Sequence, residues 1–310
     1  MAGDCIRQIP RWGFVLSLAA TILMMAAASA PSLFYPQIAE RLGLIPVATT
    51  LVFAVYTFTL LAALLYLGPL SDHVGRRPVV AAGSLALALS VAMFWFAGSL
   101  AALLVARALQ GLAAGLLIPA LSAMMIDFES PSHRNIAALW NTIGPMIGLG
   151  AGALGAEPTT AVFGSLVLAF LIVATVVWST PELVPKTQIR RGDLRPRFTV
   201  PPHLRRMFTA GVPVIIAGWA TNGLFLALGA DLVGSELGGS THTQAGIVLF
   251  ALAISGVTAS SVLQRRSART ISLYATSALA FGTAVSIGAL ALGSYPAYVA
   301  SVAIVGSGFG

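Results

Sequence analysis

A short charged turn interrupts an otherwise apolar sequence. The stretch GPLSDHVGRRPVV, residues 68–80, places Asp72, Arg76 and Arg77 between two long apolar runs, although only 9% of the 310 residues are charged. Gly75 lets the chain turn without a side-chain penalty. Asp72 can lie at a helix N-terminus, where the helix dipole stabilises an exposed anion by roughly 0.3–1 kcal/mol. A solvated basic turn would account for the arginines but not for the aspartate and the glycines, so the whole turn needs an explanation in the fold.

A second polar group lies inside an apolar run. In ARALQGLAAGLLIPA, residues 106–120, Arg107 and Gln110 are three residues apart and share one face of a helix. If this run crosses a membrane, placing an arginine there costs at least about 2.5 kcal/mol. Snorkelling towards the helix end is one explanation, because Arg107 is only about two turns inside the run. The neighbouring glutamine favours another, in which a polar face borders a water-filled cavity.

The sequence contains no pattern typical of an enzyme. It has no His–Glu cluster, nucleophile elbow or nucleotide loop, and GSGFG at residues 306–310 lacks the following helix that a dinucleotide loop needs. Cys5 is the single cysteine, which excludes an intramolecular disulfide and a thiolate metal cluster. We therefore expect no catalytic residue, no metal site and no cofactor.

The composition predicts the class of fold that positions these residues. The chain is 57% hydrophobic and 9% charged, whereas soluble domains are about one-quarter charged. Its apolar runs reach the length of eighteen or more residues that a bilayer about 30 Å thick requires of a spanning helix. The sequence therefore predicts an all-α, multi-pass membrane protein.

Ten membrane-spanning helices are predicted, and short loops connect them everywhere except between the sixth and the seventh helix. The exception is the Pro- and Arg-rich segment 181–206, which is typical of a linker. The predicted organisation is thus a six-helix bundle at 1–180, a cytoplasmic linker at 181–206 and a second group of helices at 207–310. The predicted spans are 12–38, 46–68, 79–97, 99–125, 136–156, 160–180, 207–233, 243–263, 271–292 and 296–310.

Basic residues mark one side of this array. If the N-terminus is cytoplasmic, nearly all of the 17 Lys and Arg fall at cytoplasmic ends and loops, while Arg41 lies on the other side and Arg107 inside a helix. This asymmetry accounts for the net charge of +7 without a nucleic-acid partner. We therefore predict a multi-pass protein of the plasma (inner) membrane with a cytoplasmic N-terminus. An alternative remains for the first run, because Arg7, Arg11 and the sequence Ala-Ser-Ala at 28–30 also fit a cleaved secretory signal.

The charged turn resembles the signature loop of the major facilitator superfamily, G-x-L-a-D-r-x-G-r-r/k, in its expected place between helices two and three. The resemblance implies two pseudo-symmetric helical bundles and transport by alternating access. It also implies that the aspartate engages a helix of the other half, and that an arginine pairs with an acid near the end of helix four, here Asp127 with Glu129 beside it. Such contacts would form a gate on the cytoplasmic side. The matching residues are Gly68, Asp72, Gly75, Arg76 and Arg77.

Helix four resembles a second motif of the same family, R-x-x-Q-G-x-x-x-G, which is clearest in proton-coupled members. The matching residues are Arg107, Gln110, Gly111 and Gly115. The resemblance implies that Arg107 shapes proton movement or binds an anionic group of the substrate.

Helix five has glycines at a four-residue spacing, which leaves one face bare for close packing. Pro145 removes a backbone N–H and frees the carbonyl of Asn141, which favours a kink. The run resembles the antiporter motif of drug–proton exchangers, but Trp140 and Leu149 stand where the motif has glycine, and generic small-residue packing explains it nearly as well. The spaced glycines are Gly144, Gly148 and Gly152.

The resemblance implies a substrate cavity lined mainly by helices one, four, seven and ten, with contributions from helices two, five, eight and eleven. The interior is rich in Ala, Leu, Val and Gly, which suits an apolar or amphipathic substrate. Each aromatic residue, taken singly, fits helix packing or an interfacial belt better than ligand contact. Asp231 is the only carboxylate available for proton coupling, and an interfacial position also explains it. The candidates are Tyr35, Tyr56, Arg107, Gln110, Asn141, Trp219, Asn222 and Asp231.

The resemblance implies a secondary active transporter, with proton-coupled efflux of small apolar or amphipathic molecules as the leading hypothesis. Nutrient or metabolite uptake, and a truncated membrane protein without transport, are the alternatives. The expected partners are a small-molecule substrate, protons and the lipid bilayer, and the chain is expected to be monomeric. The last run, 296–310, holds only about fifteen residues, so we expect the chain to end within the tenth of twelve helices and the second bundle to be incomplete.

Overall fold

The computed structural model describes residues 11–129, 136–153, 159–184, 205–237 and 242–309. Within these ranges the chain is helical and contains no β-strand. The α-helices are α1 (Arg11–Leu42), α2 (Pro46–Leu67), α3 (Leu70–Val74), α4 (Arg76–Trp95), α5 (Leu100–Asp127), α6 (Ile136–Ala153), α7 (Thr159–Val176), α8 (Arg205–Ser235), α9 (His242–Leu263), α10 (Ala268–Ala291) and α11 (Tyr295–Phe309).

Each predicted span coincides with one α-helix, and the five-residue α3 lies in the charged turn. Among the described residues, seven helices are long and apolar enough to cross a membrane, namely α1, α2, α4, α5, α7, α9 and α10. Large apolar side chains such as Phe58 (72% exposed) and Leu89 (57% exposed) cover the outer surface of these helices. A bilayer solvates such a surface, whereas water does not. The predicted all-α, multi-pass fold is confirmed.

Local sequence explains several helix ends. Pro46 is the first residue of α2, a position where its missing N–H has no cost. Ser99 and Ser267 cap α5 and α10, because their side-chain oxygens accept hydrogen bonds from Ala102 N and Thr270 N, each at 3.2 Å.

Two hydrophobic cores organise the helices. The larger core draws mainly on α1, α2, α4, α5 and α7, and includes Phe34, Phe94 and Phe163. The smaller core lies among α8, α9, α10 and α11, and includes Phe225 and Tyr298. Helix α6 packs closely against α1 of the first group and against α9 of the second, and so joins the two groups. The exact bounds of the two halves and of the linker stay a prediction, since 185–204 lie outside the described residues.

One helix contact occurs in both halves of the chain. A Cβ added to Gly111 would overlap the backbone and the Thr59 hydroxyl of α2, and one added to Gly306 would overlap the backbone and the Ser255 hydroxyl of α9. Both hydroxyls donate to the carbonyl three residues earlier, at 3.0 Å. Gly111 and Gly306 are 195 residues apart and Thr59 and Ser255 are 196 apart. The two halves therefore repeat the same helix contact.

Candidate functional site

The charged turn forms a hydrogen-bonded network that we call the Arg76 cluster, made of Ser71, Asp72, Arg76, Arg77, Asp127, Trp178 and Glu182. The Arg76 side chain is 13% exposed. Its Nε donates to Oδ2 of Asp127 at 3.1 Å, and its Nη1 donates to Ser71 Oγ at 2.7 Å and to Asp72 Oδ1. The pairing of this arginine with Asp127, at the end of α5, is the contact that the family resemblance implies.

Glu182 holds the start of α4. Its two carboxylate oxygens accept hydrogen bonds from the backbone N–H groups of Arg76 and Arg77, both at 3.0 Å. The first N–H groups of a helix have no partner within the helix, and a carboxylate also interacts favourably with the helix dipole. From the sequence alone, Glu182 falls in the predicted linker, and this role was not predicted. The available signal was Gly75, which precedes α4 and has no side chain with which to cap it.

The charged turn also contacts the end of the sixth predicted span, at Trp178. Gly75 has a φ of +105°, and a Cβ at this position would lie 2.7 Å from Oε2 of Glu182. Arg77 donates from Nη2 to the carbonyl of Trp178, and its guanidinium carbon lies 5.3 Å from the centre of the Trp178 ring. Asp72 is 59% exposed and contacts Arg76. The described contacts of the Arg76 cluster all lie between residues 71 and 182, so the expected contact with the other half stays a prediction.

A second network, which we call the Arg107 cluster, lies inside the first bundle. It consists of Tyr35, Phe53, Tyr56, Phe94, Arg107 and Gln110. The Arg107 side chain is 1% exposed, and its Nε donates to Tyr35 Oη at 2.5 Å while its Nη1 donates to Gln110 Oε1 at 2.5 Å. Its guanidinium carbon lies 5.1–5.4 Å from the centres of the four aromatic rings. These rings stabilise the cation through cation–π attraction.

Arg107 forms no ion pair among the described residues. The ion pairs found there are made by Arg76. Its Nη2 atom is buried and has no hydrogen-bond partner there. A buried charge without a partner is costly, by several kcal/mol after relaxation. The cluster can therefore stabilise an anion or a strong hydrogen-bond acceptor that approaches the free N–H group.

A proline in α1 supplies part of the support for Arg107. Pro31 has no N–H, so the carbonyl of Ala27, four residues earlier, has no donor within the helix. Gln110 Nε2 donates to that carbonyl at 2.9 Å, and Arg107 Nη1 donates to the carbonyl of Ala28 at 3.4 Å. This link was not predicted, although the four-residue spacing of Ala27 and Pro31 is visible in the sequence.

Glycines bring the supporting helices together. A Cβ on Gly115 would lie 2.8 Å from the Leu60 carbonyl oxygen of α2, which matches the close approach at Gly111. On α6, a Cβ on Gly144 would lie 2.9 Å from Leu18 Cδ1, and one on Gly148 would lie 2.8 Å from Met25 Cβ, both in α1. The predicted close-packing face of helix five is therefore present. Pro145 and Gly152 lie in α6, and the surroundings of Gly152 are outside the described part.

The structure joins Tyr35, Tyr56, Arg107 and Gln110 but not the other pathway candidates. Asn141 lies partly buried on α6, and Trp219, 55% exposed, packs edge-on against Phe309 at 5.4 Å. Asn222 and Asp231 fall in α8, and their side chains are outside the described residues. The cavity expected beside Arg107 is not open in this structure, because helices α1, α2 and α4 cover the guanidinium. The residue that corresponds to Arg107 in the second half, 195 residues later, is Val302, so that position carries no matching cation.

Comparison with known sequences identifies a family. The sequence profile of the Major Facilitator Superfamily matches residues 16–310. The puromycin resistance protein pur8 of Streptomyces alboniger is 32% identical over 151 residues, which are 47% of this chain and 30% of that protein. The multidrug efflux pump LfrA of Mycolicibacterium smegmatis is 31% identical over 227 residues, which are 67% of this chain and 41% of that protein. The chain thus spans less than half the length of either relative.

A solved structure shares the fold. The crystal structure of a bacterial homolog of the human lysosomal transporter Spinster, in an inward-facing and unoccupied conformation, matches with a TM-score of 0.71 and 12% identity. The match covers 99% of this chain and 74% of that one. At this identity the likeness shows the fold alone. The helical architecture and a family profile that covers almost the whole chain lead to one conclusion: this multi-pass membrane protein belongs to the Major Facilitator Superfamily.

Proposed function

We propose that the protein is a secondary active transporter that exports small apolar or amphipathic molecules in exchange for protons, by alternating access. The observation that carries the proposal is Arg107, a fully buried cation that is surrounded by aromatic rings and whose Nη2 amino group has no hydrogen-bond partner among the described residues. Burying a charged side chain inside a membrane protein costs free energy, and such a residue marks a functional site by default.

The chemistry of the Arg107 cluster favours a particular kind of substrate. Its four rings offer apolar and π surface, while the unpartnered Nη2 offers strong N–H donors to an acceptor or anionic group. An amphipathic molecule with an apolar body and a polar end meets both requirements. The names of the relatives, which describe puromycin resistance and multidrug efflux, support export as the direction.

Proton coupling needs a second group, because an arginine stays protonated at physiological pH. Asp231 is our candidate for the proton carrier, and Arg107 would act on its affinity for protons through the electric field. The Arg76 cluster would form the cytoplasmic gate, with the N-terminus of the chain on the same side and the protein working as a monomer in the plasma membrane.

The test uses the full chain in proteoliposomes, with puromycin counterflow as the first readout. Arg107→Gln should lower counterflow at least about tenfold, since losing a hydrogen bond to a charged group removes ~1.5–3 kcal/mol. Arg41→Gln is the matched control, because Arg41 is an exposed arginine that donates to the Ala97 carbonyl at 2.6 Å, away from the cluster. Unchanged counterflow in Arg107→Gln, or an equal loss in both variants, would refute the role of Arg107.

A second readout separates coupling from substrate exchange. Counterflow exchanges substrate for substrate and needs no net proton movement, so Asp231→Asn should retain counterflow and lose substrate-dependent acidification of the vesicle lumen. Proton movement that persists in this variant would reject Asp231 as the carrier. Absence of both counterflow and proton movement in the unmodified protein would favour a membrane protein without transport.

A further inference from the structure

A cavity of about 460 Å³ lies where the two halves meet, apart from both clusters. Its walls come from α6 of the first half and from α9, α10 and α11 of the second. Small and aliphatic side chains such as Leu139, Leu263 and Ala275 form much of the surface. Tyr274 donates from its hydroxyl to Ser307 Oγ at 2.8 Å and so joins α10 to α11 in the wall. The volume falls within the range of about 300–1,000 Å³ that is usual for ligand pockets.

The basic turn of the second half borders this cavity. Gln264 and Ile271, the first and last residues of QRRSARTI, both line it. Between them lie Arg265, Arg266 and Arg269, whose side chains are exposed. Because α9 ends and α10 begins on either side of it, the turn that carries the three arginines lies at the edge of the cavity.

The two basic turns differ in how their charges are satisfied. In the first turn, Arg76 pairs with Asp72 and Asp127. In the second turn, where the acid of the first copy is missing, the three arginines form no ion pair within the part of the chain that the structure describes. The positive-inside rule explains cytoplasmic arginines but not an apolar cavity that opens beside them.

We propose that this cavity binds an anionic phospholipid, whose phosphate contacts the arginines of the second turn while an acyl chain fills the space between α6 and α9. Guanidinium groups match phosphate oxygens in charge and geometry, and basic pockets between membrane helices on the cytoplasmic side are suited to anionic head groups. Since α6 and α9 belong to different halves, the bound lipid would bridge the halves and stabilise their contact at this end. The lipid site is independent of the substrate that the protein carries.

The test measures lipid retention on the full purified chain by native mass spectrometry, with dioleoyl phosphatidylglycerol and dioleoyl phosphatidylcholine as probes. We expect selective retention of phosphatidylglycerol. Replacing Arg265 and Arg266 by glutamine should weaken its binding at least about tenfold, because two charge-assisted contacts to phosphate are lost. The control removes the same charge from Arg190 and Arg191, in the linker segment, and should change binding less than about twofold.

The acyl-chain part of the site has its own pair of variants. Ala275→Phe fills the cavity and should abolish retention, whereas Leu273→Phe, on the same helix but 63% exposed, should leave it unchanged. Glycerol 3-phosphate serves as a soluble head group and should not compete, because it lacks the acyl chain. Thermal unfolding in phosphatidylcholine checks that each variant is folded, and the arginine pair decides the question if Ala275→Phe does not fold.

Four results would overturn the proposal. Equal retention of the two lipids would show that the arginines do not select charge. An equal loss in both arginine pairs would show a general effect of surface charge. Full retention in a folded Ala275→Phe protein, or full competition by glycerol 3-phosphate, would show that the cavity does not hold the lipid.

Discussion

Gly75→Ala tests how the charged turn is built. Gly75 has φ +105° and ψ 156°, a backbone region that is essentially reserved for glycine and costs other residues on the order of 1–3 kcal/mol. The added Cβ would also lie 2.7 Å from Oε2 of Glu182, so the carboxylate would have to leave the start of α4. Loss of a helix cap costs about 0.5–2 kcal/mol. We therefore expect the free energy of unfolding to fall by roughly 2–4 kcal/mol.

Glu182→Ala separates these two contributions. Alone, it should cost about 0.5–2 kcal/mol, because it removes the cap and leaves the backbone unstrained. In that background Gly75→Ala should cost only the backbone strain, so the two changes should be non-additive by ~1 kcal/mol. Gly98→Ala is the control, since a Cβ there has no neighbour within 4 Å, and it should shift stability by less than about 0.5 kcal/mol.

The assay is reversible unfolding in mixed micelles, followed by circular dichroism as the denaturing detergent is increased. Strict additivity of the two changes would show that Gly75 and Glu182 do not interact. A Gly75→Ala protein as stable as the Gly98→Ala control would contradict the backbone conformation itself.

Two further predictions concern the support of Arg107 and use the same unfolding assay. Gln110→Leu should cost about 1–3 kcal/mol, because the carbonyl freed by Pro31 loses its donor. Adding Pro31→Ala restores a helical N–H and should recover part of this loss; no recovery would mean that the freed carbonyl is unimportant. Gly111→Ala should cost about 1–3 kcal/mol, because α2 leaves no room for a methyl group. Gly288→Ala on α10 faces open space and should be neutral or stabilising by up to ~1 kcal/mol; equal effects at both glycines would contradict the close packing of α2 and α5.

The helices were predictable from the sequence because their cause is local. A bilayer requires long apolar runs whose backbone groups are satisfied within each helix, and both requirements are visible in a window of about twenty residues. Each of the ten predicted spans accordingly coincides with an α-helix. The pairing of Arg76 with Asp127 was also foreseen, since the resemblance supplied the long-range information that the residues alone do not carry.

The sequence also indicated that Arg107 and Gln110 share a helix face, because three residues separate them. It did not indicate which groups would surround them. Phe53 of α2 and Phe94 of α4 lie beside the guanidinium only because close-packed helices bring those segments together. The expected open cavity at Arg107 is closed for the same reason.

Tertiary structure alone decided the contacts that span the chain. Glu182 caps α4 across a separation of 106 residues, and the cavity beside the second basic turn is bounded by helices from both halves. Such contacts depend on how helices cross and at what depth, and apolar helix surfaces in a membrane constrain neither strongly. The residues therefore determined which segments span the membrane and where charge accumulates, while helix packing determined which of those charges are paired.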